Sequence, residues 1–266
     1  MAQMMFNPSE FTTPKAKPLP ILLLLDTSGS MNIITNPEDV RHTGKTDVVD
    51  GQNVEYVEGG ITRISILNDS VRKMLATLAK FEREATEFLI SIITFGEDTR
   101  LVIPPSPAGD VRFSDMPAGG MTPLGEALKI AKEIVASKIP NRSYRPLIVL
   151  VSDGAPNDNW EEIFDDFIKN GRTSKCDRMA LAIGDEADRK MLGKFVEGTG
   201  HEVFEADKAE QITDFFKFVT MSTIQRTQSQ NPNETPADKE VNNAVSGKPG
   251  GAQNAGGKSD DDDSWM

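Results

Sequence analysis

The chain of 266 residues contains one cysteine, two histidines, two tryptophans and two tyrosines. A single thiol, Cys176, excludes an intrachain disulfide framework and fits a reducing compartment. Its place just ahead of the apolar run 179–183 marks it as a packed structural thiol. His42 and His201 stand far apart, and neither has a Cys or a second His at ligand spacing, so a zinc site of that type is not expected. Basic residues are outnumbered, 29 Lys and Arg against 41 Asp and Glu, for a net charge of −12. That leaves little surface to neutralise phosphates, which argues against a nucleic-acid binder and eases cation binding. No stretch approaches the ~20 consecutive apolar residues of a membrane span. Residues 1–20 lack a basic region followed by an apolar block, so no signal peptide is expected and a cytoplasmic location is.

Short apolar runs alternate with amphipathic segments. Strands are expected at 19–25, 88–95, 99–103, 147–151, 179–183 and 202–204. Helices are expected from about 62, and at 122–137, 160–169, 187–197 and 209–221. The Gly96-Glu97-Asp98 turn makes 99–103 the hairpin partner of the preceding strand, hence an antiparallel edge, with Glu97 and Asp98 at a solvated tip. The fold expected is α/β, Rossmann-like: a doubly wound, mostly parallel six-stranded sheet with one antiparallel edge strand, flanked by helices. In such sheets ligands bind beyond the carboxyl ends of the strands, where strand order reverses.

Three segments stand outside this rhythm. Residues 1–17, with Pro8 and Pro14, read as an extended arm leading into a domain at 18–224. Residues 32–60 far exceed the ~2–6 residues of an ordinary strand-to-helix connection, and Asp50-Gly51 between β-prone flanks predicts a small hairpin within them. Residues 225–266 have no apolar periodicity and close with Asp260, Asp261, Asp262, Asp263, Ser264, Trp265 and Met266, so they read as a disordered acidic tail. Four carboxylates beside one Trp also suit a linear motif for a basic, apolar pocket on a partner.

Chemistry concentrates in Asp26-Thr27-Ser28-Gly29-Ser30, in Thr122 of Gly-Gly-Met-Thr-Pro-Leu-Gly, and in Asp153 after Leu147-Ile-Val-Leu-Val-Ser152. Asp26, Ser28, Ser30, Thr122 and Asp153 supply three hydroxyls and two carboxylates at or beside strand ends. Such hard oxygens suit Mg²⁺ or Mn²⁺. Each piece alone has an ordinary reading: a turn at Asp26, a turn at Ser152-Asp153-Gly154, a helix N-cap at Thr122 ahead of Pro123. Their order on a βα chain is what points to one metal site.

Together the five residues resemble the metal-ion-dependent adhesion site (MIDAS), DxSxS…T…D, of the von Willebrand factor A (VWA) domain family. The segments LPILLLLDTSGSM, GGMTPLGEAL, LIVLVSDGAPND, LAIGDEADRKMLGKF and FFKFVTMST resemble, in order, bacterial cytosolic VWA proteins of the tellurite-resistance (TerY-like) group. The resemblance implies a VWA fold, a divalent cation with a vacant position that a partner's Asp or Glu carboxylate can fill, and Asp26 and Asp153 acting largely through bound water. It also implies a non-catalytic interaction subunit in a stress-response or signalling complex, beside a serine/threonine kinase, a phosphatase or an ATPase. The insertion 32–60 and the tail depart from that group. Because the insertion leaves the chain directly after Ser30 and Met31, it is expected to form part of the rim around the metal.

The main alternative is a Mg²⁺-dependent phosphohydrolase of haloacid-dehalogenase type, since a strand ending in Asp26 resembles the start of that motif. Those enzymes place a second Asp two residues on as general acid, and Ser28 stands there instead. Gly-Gly-Met-Thr lacks the P-loop spacing, and a secreted adhesin is disfavoured by the absence of a signal sequence.

Overall fold

The computed structural model describes residues 17–36, 39–49, 52–82 and 86–233. The expected arm short of Lys17, the Asp50-Gly51 turn, and the tail residues Asp260, Asp261, Asp262, Asp263 and Trp265 lie outside them.

Six strands form one sheet: β1 (Lys17–Thr27), β4 (Thr86–Gly96), β5 (Arg100–Pro107), β6 (Leu147–Ser152), β7 (Asp177–Ile183) and β8 (Val203–Ala206), in the order β5-β4-β1-β6-β7-β8. All neighbours are parallel except β4 and β5. The helices are α1 (Arg63–Phe81), α2 (Leu124–Glu133), α3 (Glu161–Lys169), α4 (Arg189–Val196) and α5 (Ala209–Gln228). β2 (Val40–Val49) and β3 (Gln52–Gly59) pair as a separate antiparallel ribbon within the insertion.

A central parallel strand is covered on both faces, which is why β1 reads as an unbroken Ile-Leu run rather than an alternation. Alternate side chains still choose different layers. Leu23 and Leu25 join residues of α1 and α5, such as Leu67, Val71 and Phe215, in one core. Leu22 and Leu24 join residues of α2, α3 and α4, such as Leu128, Phe164 and Phe195, in the other. At ~1.5–3 kcal/mol per fully buried large apolar side chain, these two layers dominate the stabilisation. Strand order reverses around β1, whose neighbours are β4 and β6. The carboxyl ends of β1 and β6 therefore flank the switch point, and Asp26 and Ser152 occupy those ends.

The helix expected to stop at 221 runs seven residues further, and the chain is described to Asn233, past the expected tail boundary at 225. Arg226 is the reason. Its side chain is fully buried, donating to the carbonyls of Arg145 at 2.8 Å and Pro232 at 3.2 Å, with Asp177 at 3.8 Å. At the same amino-terminal edge of the sheet, the Tyr144 N–H donates to the Pro18 carbonyl at 2.8 Å and the Arg145 N–H to Asn233 Oδ1 at 2.9 Å.

Candidate metal centre

The motif loop follows directly from β1. Asp26 is still in the strand, in register with Phe95 of β4, and is fully buried. Its Oδ1 accepts the Ser28 N–H at 2.9 Å, which folds the chain back on itself after the strand. Its Oδ2 accepts the Ser152 hydroxyl at 2.7 Å, across to the end of β6. The turn then continues as a short 3₁₀ segment (Gly29–Asn32) whose one apolar side chain, Met31, is buried. The hydroxyls of Ser28 and Ser30 come together 3.0 Å apart.

One residue after β6, Asp153 is also fully buried. Its Oδ1 accepts from Ser30 Oγ at 2.7 Å and lies 3.5 Å from Ser28 Oγ. The structure thus brings Ser28, Ser30 and Asp153 into direct contact, with Asp26 behind them through Ser152 and the Ser28 amide.

Thr122 approaches from the third loop. Its backbone is fixed by two bonds with Asn157: N–H to Asn157 Oδ1 at 3.2 Å, and C=O from the Asn157 N–H at 3.2 Å. The Thr122 hydroxyl lies 3.7 Å from where a Cβ on Gly154 would sit, so it borders the Asp153 loop, but it makes no hydrogen bond to the other four residues. Nor does it cap α2. Pro123 holds the N-cap position with no side-chain cap bond, and Asp158 instead accepts the N–H groups of Gly125 and Glu126 at 3.1 Å each. The ordinary reading of Thr122 as a cap is thereby removed.

Backbone hydrogen bonds stitch the Thr122 loop to the motif loop. Gly29 N–H donates to Gly120 O at 2.9 Å and Gly119 N–H to Thr27 O at 2.8 Å. Gly120 has φ +73° and lies so close to Glu97 that a Cβ would stand 2.4 Å from the Glu97 Cα, so only glycine allows this approach.

Two carboxylates buried side by side repel. Burial, and then the Asp153 charge, raise the Asp26 carboxyl from 3.8 to about 6, although the hydrogen bonds from Ser28 and Ser152 pull the other way. A positive charge also reaches the cluster: Arg63, the first residue of α1, donates from its guanidinium to Asp153 Oδ2 at 2.9 Å. Among the described residues no group of three or more His, Cys, Asp or Glu is placed to hold a metal. Any ion here must therefore rest on hydroxyls, few carboxylates and water, which is the ligand set of a hard cation.

Sequence reasoning passed over Ser152, Asn157, Asp158 and Arg63. A cation in the first turn of a helix is opposed by the helix dipole, so Arg63 did carry a signal that its partner lies elsewhere. The isolated histidines have local partners instead: His42 lies 3.0 Å from Glu55 on the β2–β3 ribbon, and buried His201 lies 3.3 Å from Asp177. Cys176 is buried, and burial pushes its thiol up to about 12. Glu97 and Asp98 are exposed, as expected for the β4–β5 hairpin tip.

No curated protein sequence matches the chain. Several solved structures match its fold. The von Willebrand factor type A protein from Catenulispora acidiphila is 15% identical with a TM-score of 0.51, covering 79% of this chain and 43% of its own. The ArnB paralog VWA2 from Sulfolobus acidocaldarius is 14% identical with a TM-score of 0.51, covering 78% and 46%. The pilus adhesin SpaC from Lactobacillus rhamnosus GG, in its open conformation, is 14% identical with a TM-score of 0.55, covering 80% and 30%. The chain therefore spans less than half the length of each of these, and at such identities the likeness speaks for the fold. The family model of the von Willebrand factor type A domain matches residues 21–155, from the first apolar run of β1 through the Asp153 loop. The chain belongs to the von Willebrand factor type A domain family.

Proposed function

We propose that the chain is a non-catalytic, metal-dependent interaction module. Asp26, Ser28, Ser30, Thr122 and Asp153 hold Mg²⁺ or Mn²⁺ at the carboxyl ends of β1 and β6, and an Asp or Glu of a protein partner completes the site. The observation that carries this reading is the convergence of Ser28 Oγ, Ser30 Oγ and Asp153 Oδ1, with separations of 3.0, 2.7 and 3.5 Å. Six oxygens at ~2.0–2.1 Å around Mg²⁺ put adjacent ligands ~3 Å apart, and the 3.0 and 2.7 Å separations are close to that spacing while the 3.5 Å one is wider, which supports a shared ion. The cation supplies Lewis acidity toward an incoming carboxylate. The chain's own residues do the rest: the hydroxyls orient, Asp26 and Asp153 balance charge, and the glycine-stitched loops hold the set rigid.

A phosphohydrolase needs Asp26 as a nucleophile. It is fully buried with both oxygens accepting hydrogen bonds, which supports the binding reading over the enzymatic one. Placement in a signalling or stress-response assembly beside a kinase, phosphatase or ATPase rests on the segments resembling the tellurite-resistance group. Among the described residues no helix is long and apolar enough to cross a membrane.

Isothermal titration of the purified protein with Mg²⁺ and Mn²⁺, followed by partner capture in Mg²⁺ against EDTA, tests the proposal. Saturable binding that Thr122→Ala and Ser30→Ala weaken is expected. Identical heats for wild type and both variants would remove the site.

A further inference from the structure

Among the described residues, Arg63 is the cation seated on the candidate ligands. Its guanidinium is 2.9 Å from Asp153 Oδ2, and its side chain is only 14% exposed. The seat is built from three elements. α1 supplies Arg63 at its first position, the end of β6 supplies Asp153, and the end of β7 supplies a notch at Gly184. Gly184 has φ +70°, and a Cβ there would stand 2.3 Å from an Arg63 guanidinium nitrogen. The first turn of α1 contains no acidic residue. The helix dipole therefore disfavours the charge locally, and Asp153 is what holds it.

We infer that Arg63 is a resident counter-charge of the ion site, which restrains cation affinity and makes the loaded site demand an anion. The inference rests on the metal-binding reading above. With both carboxylates ionised, Asp26, Asp153 and Arg63 sum to −1, and a divalent ion takes the sum to +1. Without Arg63 the loaded site would be neutral. A site left at +1 in a poorly solvated setting gains from a carboxylate far more than a neutral one does. Before any ion arrives, the same guanidinium satisfies a buried carboxylate that would otherwise face Asp26 with hydroxyl partners only. Arg63 thus trades metal affinity for partner affinity. It acts as a positioning and charge-setting residue, not as a ligand.

The test uses the full chain and three forms: wild type, Arg63→Met, which keeps the length and removes the charge, and Arg63→Lys, which keeps the charge. Mn²⁺ is titrated calorimetrically in chloride and then in acetate at equal ionic strength, acetate serving as the carboxylate probe. Arg63→Met should bind Mn²⁺ ~10-fold tighter than wild type, as expected for removing one unit charge from a partly buried site. Acetate should tighten Mn²⁺ binding to wild type and to Arg63→Lys, and have little effect on Arg63→Met. If Arg63→Met does not fold in EDTA, its unfolding free energy, extrapolated from urea denaturation at saturating Mn²⁺, is used to correct the Mn²⁺ concentration at half-recovery of its circular dichroism to the affinity of the folded site. Mn²⁺ affinity that is unchanged or weaker in Arg63→Met, while wild type binds, reduces Arg63 to a structural tie and leaves the metal site standing. Absence of Mn²⁺ and Mg²⁺ binding by wild type overturns the proposed function, and this inference with it.

Discussion

The Ser152 hydroxyl donates to Asp26 Oδ2 at 2.7 Å, joining the ends of β6 and β1. This bond holds a carboxylate in place that the fold would otherwise reject. Asp26 is fully buried, Asp153 is beside it, and its remaining oxygen is taken by the Ser28 amide.

Because burial and Asp153 raise the Asp26 carboxyl from 3.8 to about 6, the folded state holds that proton more tightly than the unfolded state does. Ionisation therefore costs stability progressively as pH rises from about 4 to about 6, and in full above that, on the order of 2–3 kcal/mol. Asp26→Asn should be more stable than wild type in EDTA at pH 7.5, with the advantage gone at pH 4 and below. Urea denaturation at four pH values measures this. A wild-type advantage at pH 7.5 without metal would contradict it.

Thr122 and Asp158 should separate function from stability. Thr122→Ala removes a hydroxyl that caps nothing, so its unfolding free energy is expected within ~0.5 kcal/mol of wild type while Mn²⁺ binding weakens. Asp158→Ala removes the side chain that accepts the first amides of α2, and should lower stability by ~1 kcal/mol. Denaturation and calorimetry on the same two variants decide it. A large stability loss in Thr122→Ala would mean that its hydroxyl is structural.

The insertion divides into two parts with different expected roles. Asn32 donates to the Ala118 carbonyl at 3.1 Å, and the Arg63 N–H donates to the Ile33 carbonyl at 3.0 Å, so the base of the insertion braces the site. The β2–β3 ribbon beyond it is expected to select the partner. Replacing residues 40–59 with a short Gly-Ser linker should leave the melting temperature and Mn²⁺ affinity close to wild type and weaken partner capture in Mg²⁺. Capture at full strength would assign the ribbon no part in recognition.

Cys176 should be chemically silent in the folded protein. Its thiol is buried and pushed up to about 12, so thiolate is scarce at ordinary pH. Iodoacetamide at pH 8 should label it only after denaturation, as mass spectrometry would show. Rapid labelling of the native protein would mean that the β7 edge opens.

The sheet was legible because a buried parallel strand leaves an unmistakable apolar run, and the meeting of Ser28, Ser30 and Asp153 because their loops leave adjacent strand ends at a switch point. The far end of α5 was not. Gln225-Arg-Thr-Gln-Ser-Gln looks like solvated chain, and only three-dimensional contacts show that Arg226 is fully buried among carbonyls. Hydropathy cannot distinguish a solvated guanidinium from a sequestered one. Arg63 was missed for a related reason: its partner lies 90 positions away in sequence. The insertion was recognised by its length and its Asp-Gly turn, but the paired strands are longer than the β-prone residues alone suggested.

The meeting of Pro18 and Asn233 at the adjacent residues Tyr144 and Arg145 makes this domain pluggable. Its entry strand and the turn after α5 share one doorway at the amino-terminal edge of the sheet, and the candidate ion seat opens at the other. A host protein could carry the unit in a single surface loop without parting its own elements. Whatever the seat grips would then be presented outward, away from the host. Reporter fusions at either end of residues 17–233 should for the same reason leave the seat unobstructed.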